Sequence, residues 1–187
     1  MTGRLTVGVV LAGGRSLRMG VDKAMLAWRG RPLIEHQIRL LRDVGLADVR
    51  ISGARPDYRG VPDAVTGIGP LGGLTGVAAA LADGVELLVV PVDMPLLTVA
   101  LLRRLLAERP RAPGLRFAGR VLPMRWRLDA ASRAELGRLA GETERRRRSL
   151  RALQQACAME EIALAGKEAE LLLDCNSMEA WNGLQPR

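Results

Sequence analysis

Apolar residues along this chain fall into two kinds of run. Short aliphatic and β-branched runs occupy residues 5–11, 49–52 and 86–92. The first ends at Ala12-Gly13-Gly14 and the third at Asp93-Met94-Pro95. Apolar runs of this length closed by turn signals predict buried strands. Longer stretches between them have helical spacing. Residues 32–44 carry Leu33, Ile34, Ile38, Leu40, Leu41 and Val44, with Pro32 suited to a first turn and Gly45 to the position just past the end. Residues 71–82, rich in alanine and leucine, predict a second helix introduced by Gly67-Ile68-Gly69-Pro70. Thr98 predicts the N-cap of a third helix running to about residue 108.

Farther on, residues 115–128 predict two short strands around Gly119-Arg120. Helices follow over 130–140 and 149–157, a strand over 159–164 and a last helix over 177–184. Strands alternating with helices through the first 110 residues imply right-handed crossovers. The expected fold is therefore α/β: a three-layer α/β/α, Rossmann-like arrangement with a mostly parallel sheet. In such sheets ligands bind beyond the C-terminal ends of the strands, so the loops after Leu11 and Val92 should face one crevice. A length of 187 residues predicts one domain over 1–187, burying roughly 70% of the surface of the unfolded chain.

Charge sharpens this picture. The net charge is +8, yet 15 arginines and only five acids lie between Arg103 and Arg151, which places about +10 there. A basic surface attracts nucleic acid, membrane headgroups or phosphorylated small molecules alike. Aromatics make up 3% of the chain and do not interleave with the arginines, which argues against a stacking platform for single strands. No segment has the roughly 20 apolar residues of a membrane span, and Cys157 and Cys175 show no metal or disulfide spacing. These features predict a cytoplasmic protein. Only two lysines occur, Lys23 and Lys167, against 26 arginines, so each lysine stands out.

The most informative string is Leu11-Ala12-Gly13-Gly14-Arg15-Ser16-Leu17-Arg18-Met19-Gly20-Val21-Asp22-Lys23. Glycines let backbone N–H groups approach phosphate oxygens. Arg15, Arg18 and Lys23 add positive charge, arginine as a two-pronged donor and lysine as a mobile point charge. The order matches neither a Walker A loop nor a dinucleotide fingerprint.

This string resembles the signature loop of the NTP-transferase superfamily, and within it is most similar to the molybdenum cofactor guanylyltransferases. Trp28-Arg29-Gly30-Arg31-Pro32-Leu33 is similar to the family's G-x-P-L lead into its first helix. The resemblance implies transfer of GMP from GTP to molybdopterin, with Mg²⁺ as cofactor. It implies GTP and molybdopterin as partners, and other cofactor-biosynthesis or molybdoenzyme-maturation proteins besides. It implies GTP binding by Leu11, Ala12, Gly13, Gly14, Arg15, Lys23, Asp63 and Asp93, and catalytic roles for Lys23, Arg18 and Asp93.

Leu87 to Pro95 places a single carboxylate, Asp93, at the end of a buried strand. A carboxylate there is costly unless it is paired or metal-bound. Mg²⁺ typically takes one or two protein carboxylates and completes its shell with phosphate oxygens and water. A helix cap or Asx turn is the other reading of Asp93. The resemblance extends to this strand end, where a D-x-P string holds the metal. It also extends to Asp63, which precedes the Gly69-Pro70-Leu71-Gly72-Gly73 turn and would line the nucleotide pocket; otherwise Asp63 is a solvated loop acid. Asp174-Cys175-Asn176-Ser177-Met178-Glu179 is similar to the family's N-x-N-T-P-E-D segment but departs from it at Asp174 and Met178. Asn176 there reads equally as a neighbour of metal and phosphates or as a plain N-cap. Ser52 stands where the family often has an asparagine facing the base.

Three further readings complete the expectations. Arg145 to Arg148 form either a solvated helix start or a contact for the acceptor's phosphate. His36 reads as an ordinary half-exposed helix residue. Leu11-Ala12-Gly13-Gly14 replaces the L-A-A-G of cytidylyltransferase relatives, and loss of one methyl gives a purine more room, which favours GTP over CTP. The rival readings are a nucleotidyltransferase with CTP or another phosphorylated acceptor, and a non-catalytic basic protein binding RNA or an acidic partner.

Overall fold

Alternate residues of the central strands feed two separate cores, and this alternation sets the layers. The computed structural model describes residues 5–13 and 22–184. Strand β1 (Thr6–Leu11) turns Val7, Val9 and Leu11 to one face and Val10 to the other. A short antiparallel pair follows, β2 (Ala27–Trp28) and β3 (Arg31–Pro32), closed by Arg29 and Gly30 with φ of 49° and 78°. Two positive φ values in a two-residue loop match the twist of a tight hairpin. Helix α1 (Leu33–Val44) begins on Pro32 and ends on Gly45, whose left-handed φ of 110° a glycine adopts without strain. Strand β4 (Val49–Ser52) and helix α2 (Pro70–Ala79) come next.

Strand β5 (Val85–Pro91) repeats the alternation: Leu87 and Val89 face one core, Leu88 and Val90 the other. Helix α3 (Val99–Ala107) is capped by Thr98, whose hydroxyl accepts from the Leu101 amide at 3.3 Å. Then come β6 (Gly114–Phe117), β7 (Met124–Leu128), α4 (Ala130–Ala140), α5 (Leu150–Ala156), β8 (Glu160–Ile162) and α6 (Met178–Leu184). Asp129 and Ser132 form a reciprocal capping box on α4.

The sheet order is β4-β1-β5-β7-β6-β8. Strand β7 alone runs antiparallel to its neighbours β5 and β6. The other pairings are parallel, so the mostly parallel sheet expected from the sequence is present. The exception has a local cause: residues 118–123 are too few for a crossover, so β7 folds back beside β6. Helices α1 and α3 cover one face, and α2, α4 and α5 the other.

One buried charge is fully paired. Arg125, 8% exposed, holds Glu86 with two bonds of 3.0 and 2.8 Å. It also donates to the carbonyls of Leu105, Leu106 and Glu108, which the end of α3 leaves free. Among the described residues, no helix is long and apolar enough to cross a membrane.

Candidate active site

The C-terminal ends of β4, β1 and β5 lie side by side, and the ladder continues one residue beyond them. The Ala12 amide donates to Ser52 O and the Val92 amide to Leu11 O, both at 3.2 Å. These bonds start the loops after β1 and β5 in register over one cleft of about 240 Å³. Leu11, Ala12, Gly13, Lys23 and Asp93 line it, together with Asp22 and Arg55. Gly14, Arg15 and Arg18, the remaining residues expected in the phosphate loop, lie outside the described residues.

Glycine is required where the turns meet. A Cβ on Gly53 would sit 2.8 Å from the Gly13 Cα, and one on Gly73 would sit 2.1 Å from Ser52 Oγ. Ser52 is thus buried beneath Gly13 and α2. Asp63 closes the same corner: its Oδ1 lies 3.2 Å from the Cβ positions of both Gly13 and Gly73. That oxygen is buried without a hydrogen-bond donor, and burial pushes the carboxyl up from its ordinary value. Asp63 is therefore no solvated loop acid but a half-buried acceptor whose Oδ1 has no donor among the described residues.

Lys23 opens a single 3-10 turn, Lys23–Met25, capped by Asp22 Oδ1 on the Ala24 amide at 3.1 Å. Its ammonium donates to Asp93 Oδ2 at 3.1 Å and to Asn176 Oδ1 at 2.5 Å. Three segments distant in sequence so converge on one cation. Asn176 is not the cap of α6; Ser177 does that, its hydroxyl accepting from the Ala180 amide at 3.1 Å. Asp93 caps no helix either, since Thr98 caps α3.

The loop carrying Asp93 is tied down carbonyl by carbonyl. Asp93 O accepts from the Cys175 amide at 2.9 Å and lies 3.2 Å from its thiol. Met94 O accepts from Gln37 Nε2 at 2.8 Å, and Pro95 O from His36 Nε2 at 3.1 Å. Cys175 is fully buried, and burial pushes its thiol up to about 11, so it is neutral. Burial holds the His36 imidazole below its usual value despite the Pro95 contact, so at neutral pH it is an uncharged donor on this loop. His36 is half-exposed as expected, but it has a partner that helical spacing does not reveal. Gln37, Cys175 and Arg55 are further site residues absent from the sequence expectations. For Gln37 a signal exists: an amide on the otherwise apolar buried face of α1.

A second hollow, of about 610 Å³, adjoins the cleft and shares Pro70 and Leu122 with it. Arg145, Arg148 and Arg151 line it at the start of α5. Among the described residues, no three His, Cys, Asp or Glu side chains gather as a metal cage.

Comparison with known proteins bears on this site. Residues 8–171 match the model of the MobA-like NTP transferase domain. The chain is 48% identical to the molybdenum cofactor guanylyltransferase of Xanthomonas euvesicatoria over 178 residues, 95% of this chain and 93% of the relative. It is 31% identical to that of Ectopseudomonas mendocina over 92% of each chain. The crystal structure of molybdopterin-guanine dinucleotide biosynthesis protein A from Archaeoglobus fulgidus superposes with a TM-score of 0.74 at 16% identity, covering 95% of both chains, and so shares the fold.

Proposed function

Because this chain belongs to the MobA-like NTP transferase family, we propose that it transfers GMP from GTP to the phosphate of molybdopterin in the cytoplasm, releasing pyrophosphate. The observation that carries the reading is the convergence of Lys23, Asp93 and Asn176 at the mouth of the cleft beside Gly13. The identity to relatives named for this activity supports the choice of substrates.

The chemistry asks little of the protein beyond placement and charge. An oxygen of the acceptor phosphate attacks the α-phosphorus of GTP, a new P–O bond forms, and the bond to the bridging oxygen of the pyrophosphate breaks. A phosphate monoester is largely ionised at pH 7, so no side-chain base is needed. Catalysis then rests on alignment and on donors aimed at the developing charge. The Gly13 amide, with Gly14, Arg15 and Arg18, is assigned to the triphosphate. Lys23 neutralises charge gathering on the α-phosphate. Asp63, at the corner beneath Gly13, is assigned to the nucleotide pocket, where a carboxylate would pair with the two adjacent donors of guanine, N1–H and the exocyclic amine. A site built to hydrogen-bond a substrate rejects analogues lacking those donors strongly.

The donor set fits a divalent ion. Asp93 and Asn176 are hard oxygen donors that already converge on a cation, the Lys23 ammonium. One carboxylate with one amide oxygen suits Mg²⁺, which fills its other positions with phosphate oxygens and water. When bound, Mg²⁺ neutralises charge on the triphosphate. The adjoining arginine-lined hollow is assigned to the acceptor, a reading supported by its sharing Pro70 and Leu122 with the cleft.

Position-labelled GTP tests the reading. With Mg²⁺ and molybdopterin, an α-phosphate label should enter the cofactor product while a γ-phosphate label leaves in pyrophosphate. Appearance of the γ label on the acceptor would make the protein a kinase and overturn the proposal.

A further inference from the structure

Arg55 follows β4, on a turn that fixes its backbone at both ends. Its amide donates to Gly53 O at 2.8 Å, and its carbonyl accepts from the Gly60 amide at 2.8 Å and from the Tyr58 amide at 3.1 Å. The turn leaves no slack, because a Cβ on Gly60 would meet Gly53 O at 2.3 Å. From this base the side chain reaches back across the cleft wall, with 19% of its surface exposed. Nε and Nη2 donate to Ala12 O at 3.2 and 3.1 Å. Nη2 also donates to Asp22 Oδ1 at 2.7 Å, and Nη1 grips Asp22 Oδ2.

The two partners are the residues that precede the cleft's key groups. Ala12 stands before Gly13, and Asp22 before Lys23. One planar guanidinium therefore bonds both chain segments that deliver phosphate-facing groups to the cleft. Only arginine has the rigid fork for this; a lysine ammonium is a single point with no plane to bridge with. The ion pair shows in both partners: the Arg55 hydrogen bond holds the Asp22 carboxyl below its ordinary value, and Asp22 in turn raises Arg55. Asp22 also passes the constraint on, since its Oδ1 caps the Ala24 amide and thereby the turn that bears Lys23.

We propose that Arg55 is a positioning residue, whose guanidinium clamps Ala12 to Asp22 and so fixes the spacing between the Gly13 amide and the Lys23 ammonium for a nucleoside triphosphate. The role in catalysis rests on the reading of the cleft as an NTP site; the clamp itself does not.

Arg55→Ala, Arg55→Lys, Asp22→Ala and the double alanine variant test it, each checked for folding by its melting transition. Arg55→Ala should raise the KM for GTP roughly 10- to 100-fold, the range for losing a charge-assisted hydrogen-bond network. The KM for molybdopterin should stay within about twofold. Arg55→Lys should remain closer to the alanine variant than to the native protein. Asp22→Ala should reproduce the defect, and the double variant should be little worse than either single one, because the pair acts as a unit. Without any nucleotide, the Ala24 amide should exchange with deuterium faster in Arg55→Ala. A GTP KM within about threefold of native, or full recovery by lysine, overturns the positioning role. Unchanged Ala24 exchange overturns the clamp itself. Failure of the native protein to turn over GTP would instead count against the proposed function, and the amide exchange would still judge the clamp.

Discussion

The Lys23 ammonium sits between two oxygens, Asp93 Oδ2 and Asn176 Oδ1, with 16% of its side chain exposed. A cation so held is already oriented and largely out of bulk water, which is what makes a charge donor effective when a reaction develops negative charge. Lys23→Ala should therefore lower turnover by about 10²–10³-fold while the melting transition barely moves, which paired kinetics and circular dichroism would show. Turnover within about threefold of native would remove Lys23 from the mechanism. Lys23 and Asp93 were legible in the sequence because each stands at a strand end or in a glycine-rich string, where local pattern alone is informative. Asn176 was half legible: only the structure shows Ser177 taking the cap and freeing Asn176 for Lys23. Gln37 carried a signal that went unread, and His36, Cys175 and Arg55 carried none. Each binds a main-chain carbonyl 43 to 82 residues away, and no local spacing encodes such a contact.

At the scale of elements, β4 and α4 occupy the spans their patterns predict, since each is bounded by unambiguous caps or turns. Strand β8 is shorter than the alternating run 159–164, because pairing with β6 ends at Ile162. The β2–β3 hairpin and the 3-10 turns were missed: elements of two to five residues are too short to show a period. The helix start at α5 carries a separate expectation. Arg145, Arg148 and Arg151 face a hollow that shares Pro70 and Leu122 with the cleft. Exposed charge is screened beyond roughly 8–10 Å at ordinary salt, so these arginines matter only through direct contact with an anion. Neutralising residues 145–148 should raise the KM for molybdopterin and leave the KM for GTP unchanged. Steady-state kinetics with each substrate varied in turn would check this, and an unchanged acceptor KM would return the run to a solvated surface.

For the molecule as a whole, the excess positive charge is less available than the count of arginines implies. Between residues 103 and 151, Arg104, Arg116, Arg125, Arg127, Arg133, Arg138 and Arg147 are engaged with nearby carboxylates. All but the buried Arg125–Glu86 pair are partly or fully exposed, and exposed pairs add about 0–1 kcal/mol each to stability, but all of them turn their guanidinium groups toward the protein rather than toward a polyanion. This weighs against a general RNA-binding surface over residues 103–151. The layered sheet carries the cleft at the C-terminal ends of its strands, and the arginine-lined hollow adjoins it across Pro70 and Leu122. Pyrophosphate release by the native protein, measured with molybdopterin, Mg²⁺ and each of GTP, ATP, CTP and UTP separately, tests this account most directly. Release with GTP, exceeding the other three by at least about tenfold, is the predicted result; equal or faster release with CTP would contradict it.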